Sequence, residues 1–166
     1  MIEGRKIRGL PLEEYTLAEA LRDAGYQTIH IGKWHLGSEP FCLPQHHGFD
    51  INIAGNAHGA PGQYFFPYQG DWSIPTTPLR AMWNVLPNGK PGEYLTSRLT
   101  DEAVNIIEKS DDTPFFLYFA HMYVHLPLYA PENLVKASNN GDYGACVAGV
   151  DWVSKVLMHE LKKQGI

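Results

Sequence analysis

The sequence predicts an α/β fold built on a mostly parallel sheet. Three observations carry that reading. A helical pattern runs directly into a strand pattern near Gly25, the same order recurs ahead of Ala120, and the second strand, FFLYFA, is apolar almost throughout. A continuous apolar run suits a strand buried on both faces, as in a parallel sheet covered by helices. Two helix-strand repeats followed by a further helix favour a layered α/β sandwich.

The elements follow in chain order. From Thr16 to Ala24, Leu17, Ala20, Leu21 and Ala24 recur at helical spacing. Thr16 and Glu19 form a T-x-x-E capping box at the start, and Gly25 stands where the helix is expected to stop. Tyr26 to Ile31 reads as a strand, with Ile29 and Ile31 alternating against Thr28 and His30. Leu95, Leu99, Ala103, Ile106 and Ile107 mark a helix from Tyr94 to Lys109, Ser110 to Pro114 a turn, and Phe115 to Ala120 the buried strand. A last helix is expected from Tyr143 to Lys163, with Tyr143, Cys146, Val147, Val150, Val153, Leu157 and Leu161 as its apolar stripe and Gly165 as its end. Between Phe49 and Gly92 no period is sustained, and Pro, Gly, Asn and aromatic residues dominate. Such a stretch inside a domain holds either short strands or a surface insertion that shapes a binding site.

Bulk properties exclude several classes. The chain has 166 residues, of which 44% are hydrophobic and 19% charged, as in an ordinary globular domain. The formal net charge is −5 and no basic run occurs, so nothing suggests a nucleic-acid surface. No stretch of about 18 apolar residues is present, so no membrane span is expected. MIEGRKIRGL lacks the apolar segment of a signal peptide. Two cysteines, Cys42 and Cys146, are too few for a disulfide scaffold and have no CxxC spacing.

The chemistry-bearing residues cluster after the strands. In GYQTIHIGKWHLG, Lys33 and His35 follow the first strand; in AHMYVHLP, His121 and His125 follow the second. Ligands of open α/β sheets bind beyond the carboxyl ends of the strands. Parallel strands would therefore bring both loops to one edge. Lysine is a compact point cation, and histidine donates a hydrogen bond or a proton near neutrality. Together they suit an anion: a lysine about 4 Å from a negative oxygen is worth roughly 4 kcal/mol at an effective dielectric near 20. Blander readings hold for other residues. Trp34 packs, His46 and His47 form a turn, His30 sits on a strand face, and Asp101 and Asp151 are helix residues that are solvent-exposed or make capping contacts. His58, within the glycine-rich insertion, is a candidate substrate contact. No His/Cys/Asp/Glu cluster has metal-ligand spacing, and no Walker loop, G-x-S-x-G or H-E-x-x-H occurs.

GYQTIHIGKWHLG closely resembles the second signature of the sulfatase family. GLPLEEYTLAEALRDAGY is similar to that family's lead-in helix and HHGFD to the segment after the signature. YLTSRLTDEAVNIIEK, PFFLYFAHMYVHLPLYAPE and YGACVAGVDWVSKVLMHELKKQG resemble its next helix, strand with histidine-proline loop, and following helix. The match weakens from Ile51 to Gly92. The resemblance implies part of an alkaline-phosphatase-like α/β/α sandwich, with residues 1–166 a fragment of a sulfatase catalytic domain and residues 50–93 a loop-rich insertion near the substrate site. It also implies hydrolysis of a small-molecule or glycan sulfate ester, in which a formylglycine hydrate attacks sulfur and calcium binds the sulfate oxygens. Lys33 matches the lysine that contacts sulfate and nucleophile, and His35 the histidine that holds or deprotonates the hydrate. His125, ahead of Leu126 and Pro127, matches the histidine near sulfate and leaving group.

The departures from the family pattern set further expectations. The C/S-x-P-S/A-R nucleophile motif, the paired aspartates, the Asp-Asn calcium ligands and the second lysine are absent from the 166 residues. Cys42, in CLPQ, lies on the wrong side of GKWHLG and is read as a coincidence. The chain thus resembles an internal piece whose missing parts belong N- and C-terminal to it. It has no metal ligands of its own and no turnover by itself, because covalent catalysis needs its nucleophile. Exposed sheet edges would follow. The family suggests a secreted, periplasmic or lysosomal setting. Two other functions fit the same residues: a phosphodiesterase or phosphonate hydrolase of the same superfamily, and a non-catalytic module binding sulfated glycans.

Overall fold

The computed structural model describes residues 9–37, 40–57, 59–68 and 89–166. They divide into two compact units, the first formed by Met1–Gly59 with Asp111–Ala120 and the second by Ala60–Ser110 with His121–Ile166.

The first unit holds helix α1 (Leu17–Asp23) and three strands, β1 (Gln27–Gly32), β2 (Ile51–Ile53) and β3 (Phe115–Ala120). The capping box forms as expected: the Thr16 hydroxyl accepts the Glu19 N–H at 3.1 Å, and the Glu19 carboxylate accepts the Thr16 N–H at 2.7 Å. The sheet order is β2-β1-β3 and both pairings are parallel. An α/β fold on a parallel sheet is therefore what the chain adopts. β2 is one of the short strands that the aperiodic stretch conceals. Among the described residues β1 is central, and all five of its residues from Thr28 to Gly32 are buried.

Burial corrects two expectations. The strand covered on both faces is β1, although its sequence alternates; its polar residues, Thr28 and His30, are buried with hydrogen-bond partners. β3, apolar throughout, is only half-buried, and Tyr118 is 45% exposed. Its place at the edge of the described sheet explains this.

HHGFD proves to be a structural clamp. The Thr28 hydroxyl donates to the Gly48 carbonyl and accepts the Asp50 N–H, while the Asp50 carboxylate accepts the Thr28 N–H at 3.0 Å. Phe49 packs with Ala18 and Trp34 and stacks on Phe116 at 6.2 Å. The segment thus joins the start of β1 to α1 and β3. His46 ends a 3₁₀ turn over Pro44–His46, in keeping with the turn reading. His47 is fully buried beside Trp34, and neither ring nitrogen has a hydrogen-bond partner.

The second unit contains α2 (Leu95–Lys109), α3 (Glu132–Ala137) and α4 (Gly141–Gln164), with α4 packed on both others. α2 buries Leu95, Thr96, Leu99, Thr100, Ala103 and Ile107, a stripe at i, i+4 spacing. α3 has no buried residue and left no apolar signal in the sequence. The face of α4 differs from the expected stripe. Tyr143 is 57% and Val147 45% exposed, while Ala145, Cys146, Gly149 and Val153 are buried. Small residues face inward here, and Gly149 lies against the Tyr123 ring. Gly165 closes α4 in the left-handed conformation, as its position suggested. No helix among the described residues is long and apolar enough to cross a membrane.

Candidate anion-binding loops at the sheet edge

β1 and β3 end side by side, with Gly32 paired to Ala120. Both strands therefore deliver their following residues from one edge, Lys33 after β1 and His121 after β3. The chain turns sharply at this point. Gly32 has φ +103°, and a Cβ there would overlap the Ala120 carbonyl. The Lys33 N–H donates to that same carbonyl at 2.8 Å. At the other end of the turn, His35 has φ +60°, a left-handed conformation costing a non-glycine residue about 1–2 kcal/mol. Its N–H donates to the Asn56 carbonyl at 3.2 Å, and its ring lies so close over Gly59 that a Cβ there would strike it. Strain in a buttressed loop of this kind is commonly found at functional sites.

Trp34, between the two candidates, is buried and its indole N–H donates to the Cys42 carbonyl. It packs, as expected, against Ala18 and Phe49. Cys42 is itself buried, its thiol donating to the Leu10 carbonyl at 3.6 Å, so its role is structural.

The loop that leaves β3 belongs to the second unit and is held by aromatic residues. Tyr64 stacks on Tyr123 with centroids 5.1 Å apart, and its hydroxyl donates to the Met122 carbonyl at 2.8 Å. The Tyr123 and Tyr94 hydroxyls both donate to the Tyr129 carbonyl at 3.0 Å. Burial holds the phenols of Tyr64 and Tyr94 well above the usual tyrosine range, so they remain hydrogen-bond donors. Sequence reasoning missed this framework. Its trace in the sequence is one tyrosine within the aperiodic stretch, Tyr64, and three after it, Tyr94, Tyr123 and Tyr129.

Within the loop, the Nδ1 of His125 lies 2.6 Å from the Leu126 carbonyl. A carbonyl only accepts, so Nδ1 carries the proton. In the neutral ring Nε2 is then the basic nitrogen. His121 is half-buried, and desolvation lowers its pKa. Of the sequence candidates, Lys33 and His35 share the β1 loop and His125 lies on the β3 loop; His58 falls outside the described residues. Asp101 and Asp151 are exposed on helices. Among the described residues no group of three His, Cys, Asp or Glu is placed to hold an ion.

The histidines make stability depend on pH. Burial lowers the pKa of His30, His47 and His121 below the ordinary 6.5. A depressed folded pKa means that the unfolded chain binds protons first as pH falls. Stability is complete above about pH 6.5 and declines below it, toward the folded pKa values. The denaturant midpoint is expected to drop between pH 7 and pH 5. His47→Phe, which removes the ring without a hydrogen-bond partner, is expected to flatten that drop; a midpoint unchanged across this range would refute the account.

Comparison with known proteins places this architecture. The sulfatase family model matches residues 2–166. N-acetylgalactosamine-6-sulfatase of Mus musculus is 36% identical over 161 residues, covering 90% of this chain and 30% of that protein. The crystal structure of Ps i-CgsB superposes with a TM-score of 0.74 at 29% identity, covering 95% of this chain and 38% of the other. PsFucS1 sulfatase from Pseudoalteromonas sp. has a TM-score of 0.70 at 24% identity, which shows the shared fold. The chain spans about a third of the length of these relatives. With the family model matched from the second residue to the last and the same α/β fold found in sulfatase crystal structures, the chain belongs to the sulfatase family.

Proposed function

We propose that this chain supplies the anion-gripping loops of an enzyme that hydrolyses sulfate esters, and that Lys33, His35 and His125 act on one sulfate group. The observation that carries this reading is the parallel pairing of Gly32 with Ala120, from which the GKWHLG loop and the histidine-proline loop both depart. The strained, buttressed conformation of His35 supports it.

The roles follow from the chemistry of each group. Lys33 neutralises sulfate oxygens and favours the charge that develops on them. His35, held in the same turn, is suited to orient or deprotonate the attacking group. His125, with its Nδ1 proton committed to the Leu126 carbonyl, is suited to give a leaving oxygen the Nε2 proton of its imidazolium form, ending as the neutral Nδ1–H ring. The substrate class is a small-molecule or glycan sulfate ester. The N-acetylgalactosamine-6-sulfatase relative supports the glycan form.

The test compares 4-nitrophenyl sulfate with 4-nitrophenyl phosphate and its diester, using the polypeptide expressed from its complete reading frame. Preferential release of sulfate is expected. Preference for a phosphate ester would transfer the chain to the phosphodiesterase reading. Sulfate-dependent glycan binding without turnover would make it a binding module.

A further inference from the structure

The strand residue His30 has an environment that packing alone does not explain. It is fully buried on β1, with Trp34, Phe49 and Tyr118 around its ring at centroid distances of 5.2, 5.4 and 5.6 Å. Inside this aromatic enclosure its Nε2 lies 3.1 Å from the main-chain carbonyl of Lys33. That oxygen only accepts, as does the Asn52 Oδ1 that faces Nδ1, so the neutral ring that burial favours can donate to one of them; with its proton on Nε2 it donates to the Lys33 carbonyl. The Lys33 peptide is thus held on both sides, its N–H by the Ala120 carbonyl and its C=O by the His30 ring.

The imidazole is in turn fixed from behind. Its Nδ1 lies 3.2 Å from the Asn52 Oδ1. The orientation of the Asn52 amide is set by three bonds: Oδ1 accepts the Gly55 N–H at 3.1 Å, and Nδ2 donates to the Gly55 carbonyl at 2.9 Å and to Gln45 Oε1 at 3.2 Å. Gly55 is required for this close approach, because a Cβ there would overlap Asn52 Oδ1 and reach to 2.6 Å from His30 Nδ1. Gly55 and Asn52 thus close in on the imidazole from behind, and its one ring proton is left for the Lys33 carbonyl.

We propose that His30 is a positioning residue, which fixes the main chain of Lys33 so that its ammonium is presented to the anion in one direction. The inference rests on the reading that Lys33 contacts the sulfate group. A buried aliphatic residue would fill the same strand position without supplying the donor. The selection of a histidine at a core site, with its Nε2 on the carbonyl of the proposed anion-binding residue, is what this role accounts for.

Two substitutions separate the donor from the bulk. His30→Gln places an amide N–H where Nε2 stood and retains the bond to Lys33. His30→Asn reaches only as far as Nδ1 and loses it. In the polypeptide expressed from its complete reading frame, His30→Asn is expected to lower kcat for 4-nitrophenyl sulfate by on the order of 10–100-fold, with KM changed less, and His30→Gln to retain kcat within about threefold. Amide hydrogen exchange supplies a readout independent of turnover: the Lys33 and His35 amides are expected to lose protection in His30→Asn and keep it in His30→Gln. Equal behaviour of the two variants in exchange would overturn the positioning role. Loss of protection in His30→Asn alone, from a protein that hydrolyses no sulfate ester, would retain the role of His30 and reject the sulfatase reading of Lys33.

Discussion

Replacing Lys33 with alanine is expected to lower kcat/KM for a sulfate ester by roughly 10²–10³-fold, measured in the polypeptide expressed from its complete reading frame. The size follows from a cation about 4 Å from a sulfate oxygen in a partly desolvated site, worth roughly 4 kcal/mol. The substitution is clean because the structural work of Lys33 is done by its main chain. Its N–H bond to Ala120 and its carbonyl bond to His30 both survive in the alanine variant. Stability is therefore expected to stay within about 0.5 kcal/mol, as at an ordinary surface position. Lys33→Arg is expected to recover little, since a planar fork does not reproduce a compact ammonium. Activity of Lys33→Ala within threefold of the parent would remove Lys33 from the site.

The largest effect on stability is expected at Gly32. Alanine there meets two penalties. The backbone sits at φ +103°, which costs a residue bearing a Cβ about 1–2 kcal/mol. The Cβ would also overlap the Ala120 carbonyl, so β3 must shift and the Lys33 N–H bond stretch or break. Over-packing of this kind adds about 1–3 kcal/mol. Gly32→Ala is thus expected to destabilise by about 2–5 kcal/mol. Gly25→Ala provides the internal control: its φ is +90°, yet nothing lies within 4 Å of the added Cβ. It is expected to show the backbone cost alone, about 1–2 kcal/mol. Chemical denaturation of the two variants measures the difference. Equal losses would mean that the close approach of β1 and β3 at this edge does not occur.

What could be read from the sequence was what depends on local spacing. Thr16 and Glu19 specify their capping box within four residues, and Gly165 specifies the end of α4 by its own conformation. The parallel course of β1 and β3 was legible because a helix lies between the strand patterns. That alone placed Lys33 and His121 at one edge. The features that were missed depend on contacts distant in sequence. Nothing near His30 indicates that Asn52 will meet its ring, so the sequence placed it on a strand face without showing that this face lies in the core. The face of α4 was legible in part: Cys146 and Val153 are buried as expected, but Tyr143 and Val147 are exposed, and the small Ala145 and Gly149, which a hydrophobic pattern weights lightly, are buried. The Asp50 carboxylate caps Thr28 from 22 residues away, and the tyrosine framework spans Tyr64 to Tyr129. No periodicity reports either.

The claim on which the rest depends is that the β1 and β3 loops serve one sulfate group. A crystal structure of the polypeptide expressed from its complete reading frame, with inorganic sulfate or an unreactive sulfate-ester analogue bound, tests it most directly. The account predicts Lys33 Nζ and a ring nitrogen of His125 within hydrogen-bond distance of oxygens on the same sulfur. A sulfate bound elsewhere, or Lys33 and His125 directed at different ligands, would contradict it.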